Sequence, residues 1–328
     1  MSNSSDAWYF SRSTDLAGLL EQTYSESFWL TLNPELTISP AVFSSGQPAY
    51  DLSPSVTEEL VTQVAEEGYF QVPPVIPKDD CAKLARAVER IAAAGLHPIF
   101  LAVYDEYWRV IQRICKSLSP VLGPDCFPLG DFWVWNVSPQ TAGAGWPPHR
   151  DYQFRSRPCL RDDGRPLIIT AWLPFTQATT LNGCMYVLPT NHDPNIPEEL
   201  DNYVFSNLQD VRALPAEAGS ILGWNQHLLH WGSRCSRWAK APRISSGIYL
   251  QSADVDRFVP RPIDFARPLP LERRLAFLAV NLLAYHRLHR YPDEVVMMCI
   301  RHLQAVPDFL EILPQDLRQA MAGMATSS

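Results

Sequence analysis

The chain has 328 residues, of which 46% are hydrophobic, so it is long and apolar enough to bury a sizeable core. Its 27 Lys and Arg against 35 Asp and Glu give a net charge of −8, which disfavours a polyanionic partner such as duplex DNA. The sequence contains neither a run of 18 apolar residues nor a secretory signal at its start, and we therefore expect a cytoplasmic protein that does not span a membrane.

The cysteine and proline content indicates a loop-rich protein with reduced thiols. The seven cysteines form no CxxC pair, which argues against a structural zinc site of the usual spacing, and their odd count argues against a disulfide framework. The 29 prolines outnumber the 15 glycines, and proline stiffens loops but is excluded from central strands. Many rigid connections between short β-strands, with some helices, are therefore predicted.

The first third of the chain is predicted to be an irregular arm followed by helices. Residues 1–53 alternate Ser, Pro and aromatic residues without a sustained period. A capping box at residues 55–58 opens a helix, and Gly68 closes it before a short apolar strand at 69–72. Because apolar residues then recur at helical spacing, we expect residues 54–128 to form a helical N-terminal part.

The middle of the chain, residues 129–252, is predicted to be a β core. Short blocks rich in β-branched and aromatic residues are separated by Pro, Gly and Asn, which is typical of strands joined by turns. The predicted strands are residues 132–137, 167–175, 184–189, 220–224 and 244–250.

The last part of the chain, residues 253–328, is predicted to be a helical extension of a single domain that spans residues 1–328. Leu271, Leu275, Leu278 and Leu282 lie on one stripe of a helix. Such a stripe must be buried against something. It is expected to cover the mouth of a pocket, form a dimer contact or pack on the outside of the β core.

The segment His149-Arg150-Asp151 contains the first candidate metal ligands. It follows two prolines, and in an extended segment the side chains of residues i and i+2 point to the same side. A non-haem Fe(II) oxygenase needs two His and one carboxylate on one face of the metal. On its own, a His two residues from an Asp is more often a surface ion pair.

Further candidates follow the predicted strand at 220–224. His227 and His230 compete for the place of the third ligand, and both readings stay open on spacing alone. Arg243 and Ser245 begin the last β block, where an Arg can grip a carboxylate with two parallel hydrogen bonds and a Ser can add a third. Arg243 could equally be a strand-end cation in a surface salt bridge.

The order of these residues resembles the phytanoyl-CoA dioxygenase family of Fe(II)- and 2-oxoglutarate-dependent oxygenases. The resemblance extends over roughly residues 57–251. The similar stretches are EEGYFQVPPVIP (66–77), HRD (149–151), TAWLPFTQATTLNGCMYVLPTNH (170–192), and AGSILGW with the later HLLHWGS and PRISSGIYL. It implies a mainly β fold with flanking helices, a double-stranded β-helix of the jelly-roll or cupin type whose N-terminal helices brace one sheet.

The resemblance also implies roles for individual residues. His149, Asp151 and His230 would bind iron, with His230 preferred to His227 because a Gly-Ser pair follows closely after it. Arg243 and Ser245 would bind the far carboxylate of 2-oxoglutarate, and Trp172 would line that pocket, although a Trp can simply fill a core. The implied cofactor and co-substrates are Fe(II), 2-oxoglutarate and O2.

Other conspicuous side chains are expected to have no part in metal binding. His192 falls in a turn and is expected to be structural, and His286 and His289 are expected to be a solvated or interfacial pair. A group of tryptophans either binds an apolar substrate or packs the barrel. Its members are residues 133, 135, 146, 224, 231 and 238.

The activity implied is oxidation, most simply hydroxylation, of an unactivated C–H bond of a small organic substrate, with release of succinate and CO2. Asp151 favours this over halogenation, because related halogenases replace the carboxylate by a small residue. Two alternatives belong to other classes: a cupin-like metal enzyme that does not use 2-oxoglutarate, and a jelly-roll binding protein without catalysis. The partner expected is a small molecule, with the chain a monomer or homodimer.

Overall fold

The computed structural model describes most of the chain in two compact units, which we treat separately. The described residues are 10, 15–39, 48–140, 143, 145–151, 158–194, 208–258, 263–312 and 318. The β unit contains residues 48–85 and 110–258, and the helical unit contains residues 1–47, 86–109 and 259–328. The single domain expected from the sequence stays a prediction.

The β unit contains two antiparallel sheets, as the predicted jelly-roll core requires. Five strands pair in the order β1-β6-β3-β8-β2, and three pair in the order β5-β4-β7. The strands are β1 (Tyr69–Val72), β2 (Cys126–Val137), β3 (Ile168–Pro174), β4 (Met185–Leu188), β5 (Arg212–Leu214), β6 (Ile221–Trp224), β7 (Leu229–Gly232) and β8 (Arg243–Ser252). The five strand blocks predicted from the sequence are all present, whereas β5 and β7 were missed as strands and β2 begins earlier than predicted.

The core of the β unit lies between its two sheets. Trp172 on β3 and Leu222 on β6 pack in one buried cluster with Met185 and Val187 on β4 and with Leu214 on β5. All seven residues of β3 and all ten of β8 are buried, which is why these strands read as near-continuous apolar or small-residue runs. The two sheets therefore enclose a common apolar interior.

One predicted helix of the β unit begins earlier than its capping box. Helix α3 spans Pro54–Glu66, and its N-cap is Ser53, whose hydroxyl accepts a hydrogen bond from the Val56 amide. Proline at the first helical position has no amide proton to lose and a φ angle suited to the helix, so Ser53-Pro54 is the stronger start signal. Gly68 follows the helix with a φ of +86°, as its predicted role in ending the helix requires.

The helical unit is built from both ends of the chain together with residues 86–109. Its helices include α1 (Leu16–Gln22), α2 (Glu26–Leu32), α6 (Leu271–Ala284), α7 (His286–His289) and α8 (Asp293–Ala305). Helices α4 (Lys78–Ala93) and α5 (Asp105–Leu122) contribute residues to both units. The arm at residues 1–53, predicted to be irregular, is therefore helical in part. Trp29 on α2 is fully buried, and its ring stacks on that of Phe100 with 5.2 Å between the centroids.

The predicted leucine stripe of α6 is covered within the helical unit itself. Leu275, Leu278 and Leu282 are buried, and α6 packs against α8 and against the short 3₁₀ helix at Pro98–Val103. Neither a lid over a pocket nor a dimer is needed to bury these side chains. No helix of the described residues is long and apolar enough to cross a membrane.

A buried ion pair anchors α6 within this unit. Arg274 Nη2 lies 2.6 Å from Asp105 Oδ1, and both side chains are 0% exposed. The same guanidinium donates to the carbonyl oxygens of Leu269 and Val103. All seven cysteines of the chain are free and buried.

We expect the helical unit to lose stability in mild acid because of His302. Its ring lies 4.2 Å from that of Tyr24, and burial lowers the pKa of His302 to about 4. Between that value and the ordinary pKa of about 6.5, the unfolded chain binds a proton that the folded chain does not. Stability is therefore complete above about pH 7 and falls towards pH 4, by up to about 3 kcal/mol for this group.

The measurement is the free energy of unfolding from urea titrations between pH 4 and 7, for the native chain and for His302→Leu. The leucine variant should show a shallower loss of stability in this range. Two curves of equal slope would show that His302 does not contribute.

Candidate metal centre

Three predicted ligands meet in the β unit. Each of His149, Asp151 and His230 offers one ligand atom, and these atoms lie within 4.8 Å of one another; no other such group of three was found in the described part of the chain. His149 Nε2 is 3.6 Å from Asp151 Oδ1, and His230 Nε2 is 3.7 Å from Asp151 Oδ2. The spacing allows one small cation to contact all three side chains.

The main chain holds the two histidines side by side. His149 and His230 form an isolated antiparallel β-bridge, in which each amide donates to the other residue's carbonyl oxygen, at 3.0 and 2.9 Å. The segment before His149 approaches β7 so closely that a Cβ atom on Gly145 would lie 2.7 Å from the Cα atom of Gly232. Glycine at both positions therefore permits the close contact that places His149 beside the strand carrying His230.

Each imidazole is oriented by a hydrogen bond at its other nitrogen. Nδ1 of His149 lies 2.7 Å from the carbonyl oxygen of Pro147, and Nδ1 of His230 lies 3.0 Å from that of Leu228. A carbonyl oxygen can only accept, so each Nδ1 carries the proton and donates. The lone pair is then on Nε2, the atom that faces Asp151.

The Asp151 carboxylate is held through one oxygen. Oδ2 accepts hydrogen bonds from the Thr170 hydroxyl at 2.6 Å and from the Trp224 indole at 2.8 Å. The Thr170 hydroxyl in turn accepts a hydrogen bond from the side-chain amide of Gln226. Oδ1 therefore remains the oxygen with lone pairs available to a metal.

The protonation states at neutral pH are those of metal ligands. Burial raises the pKa of Asp151, but His230, His149 and the hydrogen bonds from Thr170 and Trp224 outweigh burial and hold that pKa below its ordinary value. Burial lowers the pKa of His230 to about 4. A carboxylate and a neutral imidazole are the forms that bind a metal without first releasing a proton.

His227, the alternative third ligand, points to a different neighbour. Its Nδ1 lies 3.4 Å from Cys159 Sγ, and it does not belong to the group of three ligand atoms. Burial, with a contribution from the Arg150 guanidinium, lowers the pKa of His227. The structure therefore brings His230 rather than His227 to His149 and Asp151.

The three donors fit ferrous iron. Two neutral imidazole nitrogens and one carboxylate oxygen make the donor set of the non-haem Fe(II) oxygenases, which leaves further coordination positions open. The hydrogen bonds to both Nδ1 atoms and to Oδ2 are outer contacts of the kind that orient metal ligands. His192 is half exposed, 3.6 Å from Asp210, and neither it nor His286 and His289, whose rings lie near Tyr291, belongs to this group.

The residues predicted to bind 2-oxoglutarate lie on the same sheet face as Thr170. Residues paired across antiparallel strands share a face, and Thr170, Trp172 and Pro174 on β3 pair with Tyr249, Gly247 and Ser245 on β8. Because the side chains alternate along β8, Arg243 shares the face of Ser245. This face carries the metal group, since Thr170 contacts Asp151.

Arg243 is a buried side chain with a fixed orientation. It is 1% exposed, so the alternative of a surface salt bridge is wrong. Its Nη1 donates to Ser245 Oγ at 2.7 Å, and its guanidinium carbon lies 5.6 Å from the centre of the Trp172 ring. The structure thus brings together the three residues predicted for the co-substrate pocket.

The tryptophans named in the sequence separate into different environments. Trp224 is buried against the metal group, Trp231 stacks on Tyr186, and Trp238 is 70% exposed. Trp146 is half-buried with its ring 5.9 Å from that of His149 and 6.3 Å from that of Trp133. Trp135 is partly buried and packs against the core cluster between the two sheets. Of the six tryptophans, Trp146 therefore lies beside the His149 ring, with Trp133 behind it.

Sequence reasoning missed the residues that support the ligands. Thr170 and Gln226 were given no role, and Trp224 was read as a packing or substrate residue rather than as a donor to Asp151. No spacing rule predicts these contacts, because they join β3, β6 and the segment after β6 only in the folded sheet. Trp224 at the end of a buried strand is the one available signal, since a buried indole N–H needs an acceptor.

The chain was compared with known families and structures. The family described as phytanoyl-CoA dioxygenase (PhyH) matches residues 64–236. No curated protein matches the chain. Similar solved structures include a non-haem alpha-ketoglutarate-dependent epimerase, SnoN, and a carbocyclase of the same kind, SnoK, both from nogalamycin biosynthesis, and AviO1 from Streptomyces viridochromogenes Tue57.

These structures are similar to the chain only at low sequence identity. SnoN is 17% identical over 67% of this chain and 98% of its own, with a TM-score of 0.45. SnoK is 18% identical over 68% and 96% of the two chains, with a TM-score of 0.44. AviO1 is 16% identical over 63% and 99%, with a TM-score of 0.43.

Proposed function

Because the chain belongs to the phytanoyl-CoA dioxygenase family of Fe(II)- and 2-oxoglutarate-dependent oxygenases, we propose that it hydroxylates an unactivated C–H bond of a small organic substrate. The cofactor is Fe(II), and the co-substrates are 2-oxoglutarate and O2. The observation that carries the proposal is the buried group of His149, Asp151 and His230. Its donors are those of the iron site, and each has an outer hydrogen bond that orients it.

His149 Nε2, Asp151 Oδ1 and His230 Nε2 would hold the iron. Held there, the metal would supply the chemistry that couples oxidative decarboxylation of 2-oxoglutarate to oxidation of a C–H bond, with release of succinate and CO2. The protein's part is to fix the ligands and to keep the site dry. Asp151 supplies a carboxylate where related halogenases have a small residue, and this favours hydroxylation, desaturation or ring formation over halogenation.

Arg243 would bind the far carboxylate of 2-oxoglutarate. A guanidinium presents two parallel N–H groups to a carboxylate, and Ser245 adds a hydroxyl beside it. Trp172 covers the guanidinium from the core side, which lowers the local dielectric and strengthens the ion pair. A cupin-like enzyme that does not use 2-oxoglutarate would have no need of this buried cation. Arg243 therefore supports the proposal of a 2-oxoglutarate-dependent enzyme over that alternative.

The substrate would approach from the side of His149. The His149 side chain is 31% exposed, whereas those of Asp151 and His230 are 9% and 3% exposed. The ring of Trp146 lies next to His149, with Trp133 behind it, and offers an apolar surface on that side. This arrangement suits a substrate with an apolar portion near the C–H bond that reacts.

The test is iron-dependent turnover of 2-oxoglutarate. Metal-free protein is reconstituted with Fe(II) and incubated with 2-oxoglutarate, ¹⁸O2 and a pool of small metabolites, and succinate and labelled products are measured by mass spectrometry. We expect succinate that requires iron, together with a product one labelled oxygen atom heavier than its precursor. Absence of iron-dependent succinate would contradict the proposal, and succinate with a product lacking two hydrogens would replace hydroxylation by desaturation or ring closure.

A further inference from the structure

We infer that Arg150, the residue between the two ligands His149 and Asp151, is a positioning residue that fixes the distance between this segment and the segment carrying His230. The inference rests on the proposed function, because it takes these three side chains as the iron ligands. It adds that the contacts of Arg150 bring the three ligands together before the metal binds.

Arg150 joins the two ligand-bearing segments directly. Side chains alternate in an extended segment, so Arg150 leaves the chain on the side opposite to His149 and Asp151. Its Nη1 donates a hydrogen bond of 2.5 Å to the carbonyl oxygen of His227, three residues before His230. Together with the main-chain bridge between His149 and His230, this gives the two segments a second, independent attachment.

The other end of the guanidinium is held by Asp193. Arg150 Nη2 lies 2.6 Å from Asp193 Oδ2, and both side chains are 0% exposed. The contact is an ion pair that is not aligned as a hydrogen bond. Asp193 follows the short 3₁₀ helix Thr190–His192, which comes directly after β4.

This carboxylate is anchored to the strand beside His230. On β4, Val187 pairs with His230 and Leu188 pairs with Leu229. Asp193 is close behind β4 in the chain, and its amide donates to the carbonyl oxygen of Thr190. Arg150 therefore links the segment of His149 and Asp151 to two groups. One is the carbonyl oxygen of His227, and the other is the Asp193 carboxylate, which lies just after the strand that pairs with β7.

The energetics of this pair favour a positioning role over a stabilising one. Two charges without solvent exposure pay a large desolvation cost, and apolar residues of similar volume often stabilise a protein as well or better. A planar guanidinium, however, can contact a carbonyl and a carboxylate in one fixed geometry, which neither an apolar group nor the single ammonium of Lys reproduces. What the pair supplies is a defined spacing between the ligands.

The test measures metal affinity rather than turnover. Dissociation constants for Mn(II) are measured without 2-oxoglutarate for the native protein, Arg150→Lys and Asp193→Asn, alongside thermal unfolding. We expect both variants to bind Mn(II) about 10–100-fold more weakly, the range seen when outer contacts of metal ligands are lost.

The control is a second buried ion pair with the same separation between its charged atoms. Asp105 and Arg274 in the helical unit are also 2.6 Å apart and 0% exposed, but neither lies in a segment that carries a ligand or is attached to one. Asp105→Asn should lower the unfolding temperature as Asp193→Asn does and leave the Mn(II) affinity unchanged. This comparison separates positioning of the ligands from a general loss of stability.

A double variant, Arg150→Met with Asp193→Leu, guards against failure to fold, because it replaces the buried charges by apolar groups of similar size. It should fold and still bind Mn(II) about 10–100-fold more weakly than the native protein. Native-like affinity in any of the folded variants, or an equal loss in Asp105→Asn, would overturn the inference. Failure of the native protein itself to bind Mn(II) would instead contradict the proposed function.

Discussion

Asp151→Asn is expected to abolish turnover of 2-oxoglutarate and to weaken Fe(II) binding by at least about 100-fold, more than the loss of an outer contact does. The amide keeps the shape of the carboxylate, and its oxygen can still accept from Thr170 and Trp224, which hold Oδ2 in the native protein. It lacks the negative charge that a divalent cation needs. The fold should therefore survive while the metal site fails.

Two histidine variants show whether the correct third ligand has been assigned. His230→Ala should lose Fe(II) as Asp151→Asn does, because it removes a donor from the group of three. His227→Ala is the matched control, since His227 lies in the same segment but faces Cys159. Its Fe(II) affinity should stay close to that of the native protein, and the reverse pattern would exchange the roles of the two histidines.

Arg243→Lys is expected to weaken 2-oxoglutarate binding although the positive charge is kept. An ammonium cannot form the two parallel hydrogen bonds of a guanidinium, and it loses the fixed contact with Ser245. Loss of one charge-assisted pair in a buried site costs about 2–5 kcal/mol, or about 30-fold and upwards in the dissociation constant. Mn(II) affinity without 2-oxoglutarate should not change.

Arg161→Lys is the matched control for this substitution. Arg161 also donates to a serine of β8, Ser252, and pairs with Asp254, but its side chain is partly exposed and contacts no metal ligand. Its variant should bind 2-oxoglutarate like the native protein. If Arg243→Lys also binds 2-oxoglutarate normally, Arg243 does not belong to the co-substrate pocket.

The sequence predicted the parts of the fold that local pattern specifies. Strand β3 is buried along its whole length, so its apolar and β-branched run is visible without a structure. Helices α1 and α2 were missed because each has only seven residues, too few for a periodic pattern to stand out. Burial of Trp29 within the folded unit, rather than local propensity, accounts for that region.

The candidate site divides in the same way. His149, Asp151, His230 and Arg243 were identifiable because their order along the chain follows a family pattern. Thr170 and Trp224, the partners of Asp151, come from segments whose relation depends on strand register, and Asp193, the partner of Arg150, is placed by the packing of the two sheets. A hydrogen bond between β6 and the segment of Asp151 has no counterpart in sequence spacing, so only the folded chain reveals it.

A crystal structure of the protein prepared without oxygen, with Fe(II) and 2-oxoglutarate, tests the central claim most directly. Anomalous density at the iron edge should show one iron about 2.0–2.2 Å from Nε2 of His149, Oδ1 of Asp151 and Nε2 of His230, the distances usual for such ligands. The far carboxylate of 2-oxoglutarate should lie against Arg243. Iron bound elsewhere, or at His227, or 2-oxoglutarate bound away from Arg243, would contradict the account.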